Sequence, residues 1–259
     1  MDVAGKRVLI TGASSGIGAA LAERMAAAGA IVGLCARRAD RLREVLTKCQ
    51  RGAPGSAMWA YDLTDFASVD ELAQRAVEEL GGVDILVNNA GIPKRRHVTA
   101  LDYSTVEQVM RINYLSPVRL TLALLPQMTE RGSGLVVNVA SVAATLSSPG
   151  EAAYDASKSA LAVFSEAMAI DLWGTGIRVL VVYPGVVDTE LFTIPDNDPL
   201  PAGIEPIPVA EMVDGLMDAI ARDASEVYVP SWFKDVVLTK ASDLEGFLAG
   251  AAEYIRQQR

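Results

Sequence analysis

The chain has 259 residues, 51% of them hydrophobic, and its 23 Lys plus Arg against 32 Asp plus Glu leave a net charge of −9 at pH 7. That composition excludes a disordered chain, a collagen-like repeat and, with only Cys35 and Cys49 as thiols, a disulfide-stapled mini-protein. The acidity argues against nucleic acid or an anionic membrane surface as partner, and a single histidine, His97, leaves no metal site expected.

In chain order, short β-branched runs alternate with helical patterns. Residues 8–10 read as a strand, followed by a glycine-rich turn and a helix with Ile17, Leu21, Met25 and Ala28 on one face. Residues 31–35 are a second strand, 39–50 a helix and 57–62 a third strand. Val69, Leu72, Ala73, Ala76, Val77 and Leu80 recur at amphipathic helical spacing, and 83–88 is a fourth strand. A long helical stretch covers about 102–131, with a bend expected at Pro117. Strand 135–141, helix 152–173, strand 177–183, helix 209–221 and a short strand 227–229 complete the alternation.

Strands separated by helices imply right-handed crossovers and a parallel sheet, and the continuous apolar runs 135–137 and 179–182 fit strands buried on both faces. The expected fold is a single α/β domain over 1–259, a doubly wound parallel sheet of about seven strands flanked by helices, with a C-terminal helical extension. Two segments break the rhythm. Residues 189–208 hold Pro195, Pro199, Pro201, Pro206 and Pro208 and read as a lid loop. Residues 231–259 carry Trp232, Phe233 and an apolar stripe of Leu244, Phe247, Leu248, Ala251 and Ile255. That stripe packs on the chain's own sheet edge or helices, forms an interface or covers the substrate pocket. No leader and no bilayer-length apolar run is read, so a cytoplasmic protein is expected.

The first strand ends in Thr11-Gly12-Ala13-Ser14-Ser15-Gly16-Ile17-Gly18 and opens a helix. Glycines there let backbone approach a pyrophosphate, whose charge the helix amino end favours. Gly12 to Gly16 also fits the Gly-x-Ser-x-Gly elbow of α/β-hydrolases, with Ser14 as nucleophile. That reading needs His97 as base, and His97 sits mid-chain where that fold places its histidine late.

Several motifs together resemble the short-chain dehydrogenase/reductase family, from the first strand to about Val229. These are the Thr-Gly-x3-Gly-x-Gly turn at Thr11–Gly18, Asn88-Asn89-Ala90-Gly91 after the fourth strand, Asn113 in the long helix and Ser141 ending the fifth strand. They continue with Tyr154 and Lys158 as Tyr-x3-Lys, then Pro184-Gly185 with Thr189 beyond. The resemblance implies a Rossmann fold and hydride transfer between a nicotinamide and a carbonyl or secondary alcohol. Tyr154 is then the general acid/base, Ser141 the group that holds the substrate carbonyl, and Lys158 the ligand of the nicotinamide ribose. Asn113 would hold a water that passes protons from Lys158 to solvent. Tyr154 and Lys158 are four apart on a helix and so share a face; an adjacent ammonium, helped by an oxidised nicotinamide, lowers a phenol's pKa.

The resemblance also implies the cofactor contacts. Gly12, Ser14, Ser15, Gly16 and Ile17 meet the pyrophosphate, with Asp62 and Leu63 at the adenine. Asn89 and Ala90 run along the ribose, Val187 and Thr189 lie by the carboxamide, and Gly91, Pro184 and Gly185 are further cofactor contacts. In NAD-dependent relatives an acid ends the second strand; here the aligned residue is Ala36, followed by Arg37 and Arg38. Guanidinium groups grip a ribose phosphate bidentately, so NADP(H) is expected over NAD(H).

For the substrate, Pro149-Gly150-Glu151-Ala152-Ala153-Tyr154 looks like the Pro-Gly-x-x-x-Tyr pattern of reductases acting on assorted ketones, aldehydes and steroids. A partly apolar small carbonyl or alcohol is expected. Lys94-Arg95-Arg96 reads as a local basic patch, with His97 a surface residue beside it. Phe164, Met168 and Leu172 read as core, and the resemblance implies a homodimer or homotetramer through their helix and the one before it. An NADP-binding sensor or scaffold without turnover is the other reading; such proteins usually lose Tyr or Lys, and both are present.

Overall fold

Side-chain alternation along β1 (Arg7–Thr11) sends Val8 and Ile10 to one face of the sheet and Leu9 to the other, and all three are fully buried. A strand of this kind needs cover on both faces, and the computed structural model, which describes residues 1–199 and 203–257, shows how it is supplied. The sheet has seven parallel strands in the order β3-β2-β1-β4-β5-β6-β7. Beyond β1 these are β2 (Ile31–Ala36), β3 (Ala57–Ala60), β4 (Ile85–Asn88), β5 (Gly134–Val139), β6 (Ile177–Pro184) and β7 (Glu226–Val229).

Helices α1 (Gly16–Ala27), α2 (Ala39–Cys49) and α7 (Val209–Ala221) cover one face, packing Leu21, Met25, Leu42 and Leu216 against Val8, Ile10, Val32 and Leu180. Helices α3 (Phe66–Leu80), α5 (Ser116–Arg131) and α6 (Ala152–Asp171) cover the other, packing Leu72, Leu120, Leu124 and Met168 against Leu9, Leu86 and Val136. Phe164 and Leu172 pack against this second cluster, as the helical spacing predicts. Truncating a fully buried leucine such as Leu86 or Leu124 to alanine costs about 2–5 kcal/mol.

The chain runs β1 to β3 outward on one side, then returns to place β4 on the other side of β1. This reversal leaves a crevice at the carboxyl ends of β1 and β4, where such sheets bind ligands. Thr11 holds the crevice in shape. Its hydroxyl donates to Val87 O at 3.3 Å and accepts from the Asn89 and Ala90 N–H groups at 3.0 Å each. Below it, Asn88 Nδ2 donates to Asn138 Oδ1 at 2.8 Å, and Asn138 Nδ2 donates to Ser165 Oγ at 2.7 Å, pinning β4 and β5 to α6.

The 102–131 stretch departs from the sequence reading. It divides into α4 (Tyr103–Met110), a π-helical turn over Arg111–Leu115, and α5, so the irregularity lies ahead of Pro117. The proline occupies the first turn of α5, where a missing N–H costs little. Pro117 has no N–H for the Asn113 carbonyl four residues back, and the wider turn takes up the mismatch. Ser116 Oγ secures it, donating to Arg111 O at 2.8 Å and also to Leu63 O.

Beyond β7 the extension forms α8 (Phe233–Ser242) and α9 (Leu244–Gln257). Neither helix has a buried residue, and Trp232, Leu238, Leu244 and Leu248 are exposed. In the lid, Leu200, Pro201 and Ala202 lie outside the described residues, as do Gln258 and Arg259 in the extension. Among the described residues no helix is long and apolar enough to cross a membrane.

Candidate active site

Helix α1 begins where β1 ends because Gly12, at φ +68°, turns the chain in a conformation that side chains disfavour. Gly18 then lets the helix press on that turn: a Cβ there would lie 2.5 Å from both Gly12 O and Asn89 Nδ2. At the helix start the N-cap residue Ser15 makes no side-chain cap, so the first-turn N–H groups keep their capacity for an anion. That uncapped terminus opens on a cavity of about 1000 Å³.

The cavity gathers the residues that the sequence singles out. Ser14, Ser15, Gly16 and Ile17 wall one end, with Arg37, Arg38, Asp62 and Leu63 beside them. Asn89, Ala90 and Gly91 form the floor between β1 and β4, and Pro184, Gly185, Val187 and Thr189 continue the wall beyond β6. Ser141, Tyr154 and Lys158 stand at the other end. Asn113 does not reach the wall; it is fully buried behind Gly91. The uncapped helix and the glycine turn fit a dinucleotide with a charged pyrophosphate.

Helix α6 sets the spacing of the reactive groups. Tyr154 and Lys158 lie one turn apart, with Lys158 Nζ 5.9 Å from the centre of the phenol ring. The ammonium donates to Val139 O at the end of β5 at 2.8 Å, and burial pulls its pKa down to about 8. Burial pushes the Tyr154 phenol well above its ordinary value, opposed by a hydrogen bond with Ser141. In the protein alone the phenol is therefore protonated at neutral pH. Ser141 is fixed as the residue before a short 3₁₀ turn, its Oγ accepting from Ala143 N at 3.1 Å. Ser159 Oγ donates to Ala144 O at 2.7 Å and ties that turn to α6.

Other groups on the wall carry less sequence signal. Arg95 is only 4% exposed and does not belong to a surface basic patch. Its Nε donates to Asp198 O at 2.8 Å and its Nη2 to Phe192 O at 3.1 Å, while Nη1 lies 3.9 Å from Glu151 and has no hydrogen-bond partner among the described residues. Lys94 and Arg96 both pair with Asp196. Lid residues Phe192 and Ile194 line the cavity, as do Tyr254 and Ile255 from α9. The spacing around Lys94-Arg95-Arg96 carries no sign of this, because the burying carbonyls come from the lid about a hundred residues later. For the hydrolase reading, Ser14 Oγ accepts from Arg38 and His97 Nδ1 contacts Thr99 Oγ1 at 2.8 Å. No hydrogen bond joins Ser14 to His97 among the described residues.

A sequence profile of the family described as short chain dehydrogenase matches residues 6–198. The chain belongs to this family. It is 38% identical over 192 residues to a fatty acyl-CoA reductase of Acinetobacter baylyi, covering 73% of this chain and 65% of that one. A short-chain dehydrogenase structure from Streptomyces avermitilis superposes with a TM-score of 0.81 at 32% identity, covering 100% of both chains. Another, from Burkholderia cenocepacia in complex with NADP, gives a TM-score of 0.82 at 28% identity, covering 97% of this chain and 99% of that one. The match spans less than two thirds of the length of most of these curated relatives, for example 65%, 61% and 58%.

Proposed function

We propose that this short-chain dehydrogenase is an NADP(H)-dependent oxidoreductase that interconverts a carbonyl and a secondary or primary alcohol. The observation that carries this reading is the convergence of Ser141, Tyr154 and Lys158 on the same cavity as the glycine turn and Arg37–Arg38. When bound, the nicotinamide cofactor supplies or accepts the hydride. Ser141 holds the substrate oxygen in line, and Tyr154 exchanges a proton with it. The protonated phenol donates that proton in reduction, and the phenolate takes it back in oxidation. Lys158 holds the ribose, and its positive charge favours the phenolate once the proton has left. Asn113 shapes the backbone next to Lys158.

The preference for NADP(H) is supported by Ala36, which ends β2 without a carboxylate of its own, and by the two exposed arginines that follow it, Arg37 and Arg38. A partly apolar substrate is supported by Phe192, Ile194 and Ile255 on the cavity wall and by the fatty acyl-CoA reductases among the relatives. The lid and α9 cover the substrate end. Self-association through the outer faces of α5 and α6 would cover Leu122, Val163, Ile170 and Trp173, which are 54–87% exposed.

The deciding experiment measures both cofactor affinities and then turnover of a panel of aldehydes and ketones with NADPH. NADPH binds more tightly than NADH, Arg37→Ala and Arg38→Ala each narrow the difference, and at least one apolar carbonyl is reduced. Equal affinities would overturn the cofactor assignment, and cofactor binding without turnover of any carbonyl would favour a sensor.

A further inference from the structure

Arg38 is engaged on two sides. Its Nε and Nη2 reach Ser14 Oγ at 3.3 and 3.1 Å, and Nη2 also donates to Ser15 Oγ at 2.7 Å. On the other side Nη1 donates to Glu190 Oε2 at 2.8 Å, while Arg41, one turn into α2, donates to the second carboxylate oxygen. Glu190 opens the 3₁₀ turn Glu190–Thr193, the first structured piece of the lid. Two guanidinium groups on one carboxylate hold its pKa down at about 2, so the charge is present at any working pH. Arg37, Arg38 and Glu190 all line the cofactor end of the cavity.

A carboxylate bridging two guanidinium groups makes the contacts that a phosphate monoester makes on the same groups. We propose that Glu190 is an internal stand-in for the ribose 2′-phosphate. In the free protein it occupies Arg38 and Arg41, and a 2′-phosphorylated nucleotide must take the arginines from it. The inference rests on the reading that the end of β2 receives a phosphorylated ribose, and it adds two residues, Arg41 as a phosphate ligand and Glu190 as the competitor. An unphosphorylated ribose makes no claim on Arg38, so Glu190 opposes only the phosphorylated form. It narrows a preference for NADP(H) that the arginines alone would make wider, and it ties the start of the lid to the adenosine end of the site.

The test is Glu190→Gln, with binding read by calorimetry using adenosine 2′,5′-bisphosphate and 5′-AMP, neither of which turns over. The variant keeps the size of the side chain at an exposed position, and thermal denaturation verifies its fold. At low salt the bisphosphate binds about tenfold more tightly to the variant, the equivalent of removing one like charge near the surface. The affinity for 5′-AMP stays the same, and the gain for the bisphosphate shrinks at high salt. Asp40→Asn removes the same charge nearby at a residue for which no ion pair occurs among the described residues, and it gives a much smaller gain. Unchanged or weaker bisphosphate binding in Glu190→Gln overturns the inference, as does an equal gain in Asp40→Asn. The NADP(H) reading fails separately, if the wild-type protein binds the bisphosphate no better than 5′-AMP.

Discussion

Asn113 and Ile92 exchange two hydrogen bonds: Asn113 Oδ1 accepts from Ile92 N at 2.9 Å, and its Nδ2 donates to Ile92 O at 3.0 Å. The same Nδ2 donates to Ser157 Oγ at 3.0 Å on α6, and Ser157 in turn donates to the Tyr154 carbonyl at 2.7 Å. A Cβ on Gly91 would lie 3.1 Å from Asn113 Oδ1 and 3.4 Å from Lys158 Nζ. The side chain of Asn113 is thus spent on joining the β4 exit to α6.

Replacing Asn113 by alanine takes the partner from the Ile92 N–H and C=O in a half-buried position. The expected cost is about 1–3 kcal/mol, read as a lower Tm, with weaker cofactor binding because the Gly91–Ile92 backbone loosens. Unaltered stability would show that the two bonds are replaced by water at no cost.

Tyr154→Phe removes the only phenol placed between Ser141 and Lys158 among the described residues. Reduction of any carbonyl that turns over falls by about 10²–10⁴-fold, while NADPH affinity stays near the wild-type value. Steady-state rates combined with cofactor titration separate the two effects. Retained turnover would assign the proton to another group.

Lys158 has its pKa lowered by burial to about 8, below its unfolded value near ~10.4. Between these values the unfolded chain binds the extra proton, so this group's contribution makes the folded state more stable as pH rises from about 8 toward ~10.4. Lys158→Met removes a buried charge whose one hydrogen bond is to Val139 O. The variant is expected to be inactive yet more stable than the wild type at neutral pH, with an advantage that shrinks toward pH ~10. Denaturant midpoints across that range check both the sign and the window.

Asp155, next to Tyr154, behaves in the opposite sense. Burial raises its pKa to about 7, against a hydrogen bond from Ser148 N at 2.7 Å, and its buried Oδ1 has no partner among the described residues. The folded state here holds its proton where the unfolded state, with a pKa near ~3.9, has lost it. Stability from this group is therefore full below pH ~4 and declines as pH rises to about 7. Asp155→Asn matches the protonated form, so its Tm exceeds that of the wild type above about pH 7 and converges on it in acid. A constant difference at every pH would place the effect outside this carboxyl.

Much of this molecule is local in origin. The alternation of Val8, Leu9 and Ile10 and the helical stripe from Val69 to Leu80 foretell a two-faced sheet because burial on a regular element repeats with the element's period. The four-residue step from Tyr154 to Lys158, and the glycines that open α1, are likewise readable because their spacing is the geometry of one turn. Proline is the visible breaker, so the sequence puts the bend at Pro117, whereas the irregular turn is Arg111–Leu115. Its actual position depends also on Ser116 reaching Leu63 O, from a segment fifty-three residues earlier.

What the sequence determined by itself was the order of the elements, the family motifs and the residue types gathered at the crevice. Tertiary structure alone decided which of those groups lose water. Arg95 looks like its neighbours Lys94 and Arg96 until Phe192 and Asp198 of the lid close over it, and Glu190 is one acid among many until the lid carries it to Arg38 and Arg41. Desolvation and ion pairing depend on what distant segments bring to within a few ångströms, and no local period records that distance.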